Sequence, residues 1–222
     1  MICSLFVLFF QAASAQKISI LETVLYHGEE ISSEKAGNWI AVFDDGKTTE
    51  FIPVITTLKD AYDPVVDDEG AKTGIEVTIN DERKPQFLLR GIVPACSAPC
   101  PSTGILEKEI KAGAPINIDL GKRHFELYVE SPSKADSNYI PNNARLILAD
   151  NRRKQVLFEV GECVFCYWSV KWVGDIDGDS LPDLLLYVGD HYNVARQKLF
   201  LSSFAENGKF VKEVAEIITS GC

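Results

Sequence analysis

Apolar and polar residues alternate along most of the chain with the two-residue period of a β-strand. Gly74-Ile-Glu-Val-Thr-Ile79 is the cleanest run, and Ile116–Leu120, Phe125–Val129, Ala144–Ala149 and Gln155–Val160 repeat the pattern. Asp44-Asp-Gly46, Gly121-Lys-Arg123 and Asp150-Asn-Arg-Arg153 stand between such runs as hairpin signals. Trp39–Phe43 and Phe51–Thr57 read as paired strands, and Pro53, which has no N–H to donate, assigns the second to an edge or a bulge. Trp168, Val170 and Trp172 share one face of a further strand. Leu184 to Val188 is apolar on both faces, as in a strand covered from both sides. Lys17–Tyr26 fits a strand or a short helix, and Phe210–Ile218 an edge strand or a closing helix. The predicted fold is therefore mainly β, with antiparallel sheets in a sandwich-like arrangement. Polar, breaker-rich Ser131–Asn143 is the natural border between two packed β regions, 16–132 and 141–222.

Composition narrows the setting. A hydrophobic content of 46% is ample for a core, and a formal charge of −10 argues against nucleic acid as a partner, whose phosphates demand a basic surface. The first fifteen residues form a short apolar run ending in Ala13-Ser14-Ala15. This is the pattern of a signal peptide cleaved after Ala15, and no later run is long enough for a transmembrane segment. The expected location is secreted or periplasmic. Five cysteines remain beyond that point, Cys96, Cys100, Cys163, Cys166 and Cys222, and in an exported chain they are expected to form disulfides with one left over. Cys96 and Cys100 suit a small ring if their Cα atoms come within about 7 Å.

The chemistry concentrates in Trp172-Val-Gly-Asp-Ile-Asp-Gly-Asp-Ser-Leu-Pro-Asp-Leu-Leu-Leu-Tyr187. Asp175, Asp177, Asp179 and Asp183 are crowded into one loop between apolar strands, and like charges this close disfavour ionisation unless a cation joins them. Ca²⁺ suits such a set because it accepts six to eight oxygens in flexible geometry. The expected ligands are Asp175, Asp177, Asp179, Asp183 and the Leu181 carbonyl. An EF-hand is excluded, since position 12 is Leu186 rather than Glu and the flanks are strands.

Gly174-Asp-Ile-Asp-Gly-Asp-Ser-Leu-Pro-Asp-Leu-Leu-Leu-Tyr187 resembles the calcium loops of FG-GAP/VCBS-type repeats, which run strand, Asp-x-Asp-Gly-Asp-Gly-x-x-Asp, apolar strand. The four aspartates match that motif's liganding positions, and Ser180 stands where it has a second Gly. The resemblance implies a Ca²⁺ loop. It does not extend to the propeller those repeats build, because the motif occurs once.

Other candidates carry less. Cys163-Val-Phe-Cys166 has the spacing of a periplasmic thiol–disulfide site, but its flanks are strand-like and lack the helix that would lower a thiol pKa. Acidic Asp60–Gly70 lacks the spacing of an ion loop and reads as a solvated turn. Asp190-His191 offers a general base only if a pocket gathers His191 with a second carboxylate, which would favour a secreted hydrolase. With no nucleophile motif in the chain, the reading is a structural or binding module of the envelope or exterior, with a protein or glycan ligand open.

Overall fold

The alternation is realised as sixteen strands, with one short 3-10 turn and no α-helix among the described residues. The computed structural model describes residues 17–96, 99–132, 140–162, 165–189, 191 and 193–220, so the expected signal peptide, Cys163 and Cys222 lie outside them. In chain order the strands are β1 (Ser19–Leu21), β2 (Leu25–Tyr26), β3 (Gly37–Asp44), β4 (Thr48–Ala61), β5 (Gly74–Ile79) and β6 (Phe87–Arg90). There follow β7 (Cys100–Pro101), β8 (Leu106–Glu109), β9 (Ile116–Leu120), β10 (Arg123–Glu130) and β11 (Ala144–Ala149). The last five are β12 (Lys154–Val160), β13 (Trp168–Gly174), β14 (Asp183–Val188), β15 (Val194–Leu201) and β16 (Lys212–Ser220). Both stretches that fitted strand or helix are strands.

Three antiparallel sheets result. The first has seven strands in the order β1-β6-β3-β4-β5-β2, with β7 paired to β4. The second has five in the order β16-β15-β14-β13-β8, and the third four in the order β12-β11-β10-β9. The five-stranded sheet carries apolar residues on both faces. Leu184, Leu186 and Val188 join Ile118, Phe125, Leu127 and Leu146 of the four-stranded sheet in one cluster. Leu185, Leu199 and Leu201 join Val42, Phe87 and Leu89 of the seven-stranded sheet in another. The uninterrupted apolar run of β14 follows from this, because each alternate side chain meets a different covering sheet. A third cluster, including Tyr26, Trp39, Val54 and Leu88, fills the other face of the seven-stranded sheet.

One expected face is corrected. Trp168 and Val170 pack with the four-stranded sheet, whereas Trp172 packs with the seven-stranded one. A bulge between Val170 and Trp172 leaves Lys171 unpaired against β14. One extra residue reverses the alternation, so every side chain beyond it changes face. Pro53 lies inside β4, where β7 pairs only Thr48 and Thr49 and β5 pairs only from Thr56 onward. On that open side Ile55 N–H donates to Asn80 Oδ1, and Pro53, two residues earlier, directs its donor-free nitrogen to the same side. The expected border, Ser131–Asn143, falls between β10 and β11, two directly paired strands of the four-stranded sheet, and its residues 133–139 lie outside the described ones.

Candidate metal centre

The acidic loop spans 175–182 and joins β13 to β14, whose ends pair at Gly174 and Asp183. Gly174 has no room for a side chain, since a Cβ there would stand 2.1 Å from Trp172 Cζ2. Asp175 shapes the turn through its carboxylate: Oδ1 accepts the N–H groups of Gly178 at 2.7 Å and Asp179 at 3.1 Å, and Oδ2 accepts Ser180 N–H at 2.9 Å. These short side chain to backbone bonds curl the chain around the carboxylate, as Asx turns do. Gly178 has φ +79° and Ser180 has φ +62°, both left-handed. Ser180 therefore adopts a backbone conformation that glycine enters without strain.

Asp183 is fully buried. Its Oδ2 accepts Ile176 N–H at 2.7 Å, and its Oδ1 accepts the N–H and hydroxyl of Ser202 at 2.8 and 3.0 Å. Burial pushes the Asp183 carboxyl up to about 7; the Ser202 and Ile176 donors oppose that rise and neighbouring Asp177 adds to it. Asp177 Oδ2 lies 3.3 Å from Ser203 N and 3.4 Å from Ser202 Oγ. Its Oδ1 is buried and has no hydrogen-bond partner among the described residues.

Carboxylate oxygens of Asp175, Asp177 and Asp183 all lie within 4.8 Å of one another. Every hydrogen bond into the three comes from a backbone N–H or the Ser202 hydroxyl, never from a cationic side chain among the described residues. Three carboxylates without a protein cation, one with an orphaned buried oxygen, fit a metal ion: an unpaired buried charge costs several kcal/mol, and a bound cation removes that penalty. Asp179, exposed, falls outside this group; its Oδ1 accepts Leu181 N–H at 2.7 Å, and partial desolvation, with the nearby Asp177 and Asp175 charges, raises its pKa. The Leu181 side chain packs against the apolar cluster below. Ser202 and Ser203, at the end of β15, went unforeseen. No spacing within 175–183 points to them, because strand pairing alone brings them to the loop.

The cysteines divide. Cys96 and Cys100 are bridged, with Cα atoms 6.4 Å apart. Cys166 is fully buried and disulfide-bonded, and Cys163 lies outside the described residues. The acidic loop after β4 is solvent-exposed over Pro64–Val66 and Asp68–Gly70, as expected of a turn, but Asp63 is buried, bonds His27 Nδ1 and accepts Val65 N–H, and Asp67 accepts the N–H groups of Asp63 and Thr73. His191 lies in a cleft of about 680 Å³ with Glu159, Glu162 and Glu216, and its Nδ1 meets Asn193 Oδ1. Among the described residues no helix is long and apolar enough to cross a membrane. Comparison with known protein families, curated proteins and solved structures finds no match for this chain.

Proposed function

We propose that the protein is an exported, calcium-binding β module whose ion is structural, held by the FG-GAP/VCBS-like loop. The buried, unpartnered Oδ1 of Asp177 beside Asp183 carries this reading. Asp175, Asp177 and Asp183 supply the central carboxylates, and Asp179, the Leu181 carbonyl and water complete the shell. An all-oxygen set of this charge suits a hard cation, and flexible loop geometry favours Ca²⁺ over Mg²⁺, which demands a near-ideal octahedron. Bound there, the ion ties β13, β14 and, through Ser202, the end of β15. Calorimetric titration tests it: Ca²⁺ should bind one site with higher affinity than Mg²⁺, and equal or absent binding would remove the reading. Export is supported by the apolar leader ending at Ala15 and by the bridged cysteines. It predicts a mature chain beginning at Gln16 when the protein is recovered from outside the cell and sequenced from its amino terminus.

One observation favours a secreted hydrolase as a second reading, namely the cleft gathering His191 with Glu162 and Glu216. Glu216 is paired with Lys198 at 2.9 Å, so the acid–base role would fall to His191 and Glu162. Hydrolysis of ester, glycoside or peptide substrates that is lost in His191→Ala would establish that reading.

A further inference from the structure

We propose that the Cys96–Cys100 disulfide is a redox control on the ion loop, so that its reduction weakens cation binding and a bound cation resists its reduction. The affinity half rests on the reading of 175–183 as an ion loop; the structural half does not. Two hydrogen bonds fix the segment around the disulfide to the loop and to the strand that feeds it. Ala95, the residue before Cys96, donates its N–H to Ile176 O at 2.8 Å. The N–H of the same Ile176 donates to Asp183 Oδ2 at 2.7 Å. A single residue thus stands between the disulfide segment and the buried carboxylate. Past Cys100, Thr103 Oγ1 donates to Val173 O at 2.7 Å, at the end of β13. Ala95 also packs against the loop itself, since a Cβ placed on Gly178 would come within 2.9 Å of Ala95 Cβ.

The bridge spans a sequence separation of 4, so it holds Ala95 and Thr103 to one arrangement of a short loop. Opening it returns conformational freedom to the segment that supports Ile176. Cys96 and Cys100 are both half-buried, within reach of a small reductant, whereas Cys166 is fully buried. The chemistry balances simply: the S–S bond takes two electrons and two protons to give two thiols, and a dithiol reductant is oxidised to its cyclic disulfide. Because binding couplings are reciprocal, the factor by which reduction weakens the ion is the factor by which the ion disfavours reduction.

The test compares the full chain with Cys96→Ser/Cys100→Ser, which leaves Cys166 untouched, and with Thr103→Val, which leaves the disulfide intact. Hydrogen exchange of the Ile176 amide is measured without metal, and Ca²⁺ affinity by calorimetry. Expected are exchange at Ile176 at least tenfold faster in the double variant, Ca²⁺ binding weaker by about five- to tenfold, and intermediate values for Thr103→Val. In wild type, saturating Ca²⁺ should shift the dithiol reduction midpoint of this bridge by the same factor. Unchanged exchange at Ile176 overturns the proposal. If wild type binds no divalent cation, the ion-loop reading fails by itself, and the exchange comparison alone decides the link between disulfide and loop.

Discussion

Ser202 gives both its N–H and its hydroxyl to Asp183 Oδ1, at 2.8 and 3.0 Å, so the end of β15 is fastened to the first residue of β14 through a buried carboxylate. The contact reaches across 19 residues of sequence, and it orients the carboxylate that closes the acidic loop. Ser202→Ala keeps the backbone donor and removes the hydroxyl. A hydrogen bond to a charged, buried acceptor contributes roughly 1.5–3 kcal/mol. The variant should lose about that much stability in urea titrations with Ca²⁺ present, when Asp183 is ionised. Its metal-free loss at pH 5 should be smaller, because a protonated carboxyl accepts a weaker bond.

The pH dependence of the metal-free protein follows from Asp183. Its carboxyl ionises near 3.9 in the unfolded chain and at about 7 when folded. Between those values the folded state holds the extra proton, so stability is fully present below about pH 4 and is lost as pH rises through 7. The fall amounts to up to ~4 kcal/mol. Saturating Ca²⁺ should abolish it, since the ion binds the ionised form and its own affinity rises over the same window. Denaturant titrations from pH 4 to 8, with and without Ca²⁺, check the sign.

Ser180 carries a left-handed backbone, φ +62°, a conformation that glycine enters most readily. Ser180→Gly removes that strain, partly offset by the greater freedom of glycine in the unfolded chain. A net gain of about 0.5–1 kcal/mol is expected. Thermal unfolding reads it directly, and a loss of stability would show that the Ser180 side chain has a role that the backbone does not explain.

His27 loses its stabilisation in the same direction as Asp183, over a higher pH window. Its bond to buried Asp63 raises its pKa, with Glu30 and the Ser220 backbone adding to the effect. The stabilisation is therefore complete below about pH 6.5, the ordinary histidine value, and is lost as pH rises through the raised folded value. Because Ser220 N–H and hydroxyl also bond Glu30, the loss should be felt at the end of β16. Amide exchange at Ser220 should quicken with pH beyond the intrinsic base-catalysed rise, and His27→Gln should remove that excess.

How far the molecule could be read from its sequence depended on how local the governing physics was. The alternation of Gly74–Ile79 and the unbroken apolar run of Leu184–Val188 specify a half-buried strand and a doubly covered one without reference to anything distant, and both are found. The face of Trp172 was misread because a bulge at Lys171 leaves no mark on the hydrophobic pattern: Lys171 looks like any other solvent-facing position. The gathering of Asp175, Asp177 and Asp183 was legible from spacing, since one loop contains them all. Ser202 and Ala95 were not, because strand pairing and a loop crossing from another sheet bring them in. His27 and Asp63, 36 residues apart, met for the same reason.

The most direct measurement is the melting temperature with and without Ca²⁺ in wild type and in Asp177→Asn. Ligand at a hundredfold excess over its dissociation constant stabilises by ~2.7 kcal/mol, which for a chain of this size raises melting by roughly 5–10 °C. The account predicts that rise in wild type and none in Asp177→Asn, whose metal-free melting temperature should equal or exceed that of wild type because an unpaired buried charge is gone. Identical melting of wild type in Ca²⁺ and in chelator would contradict it.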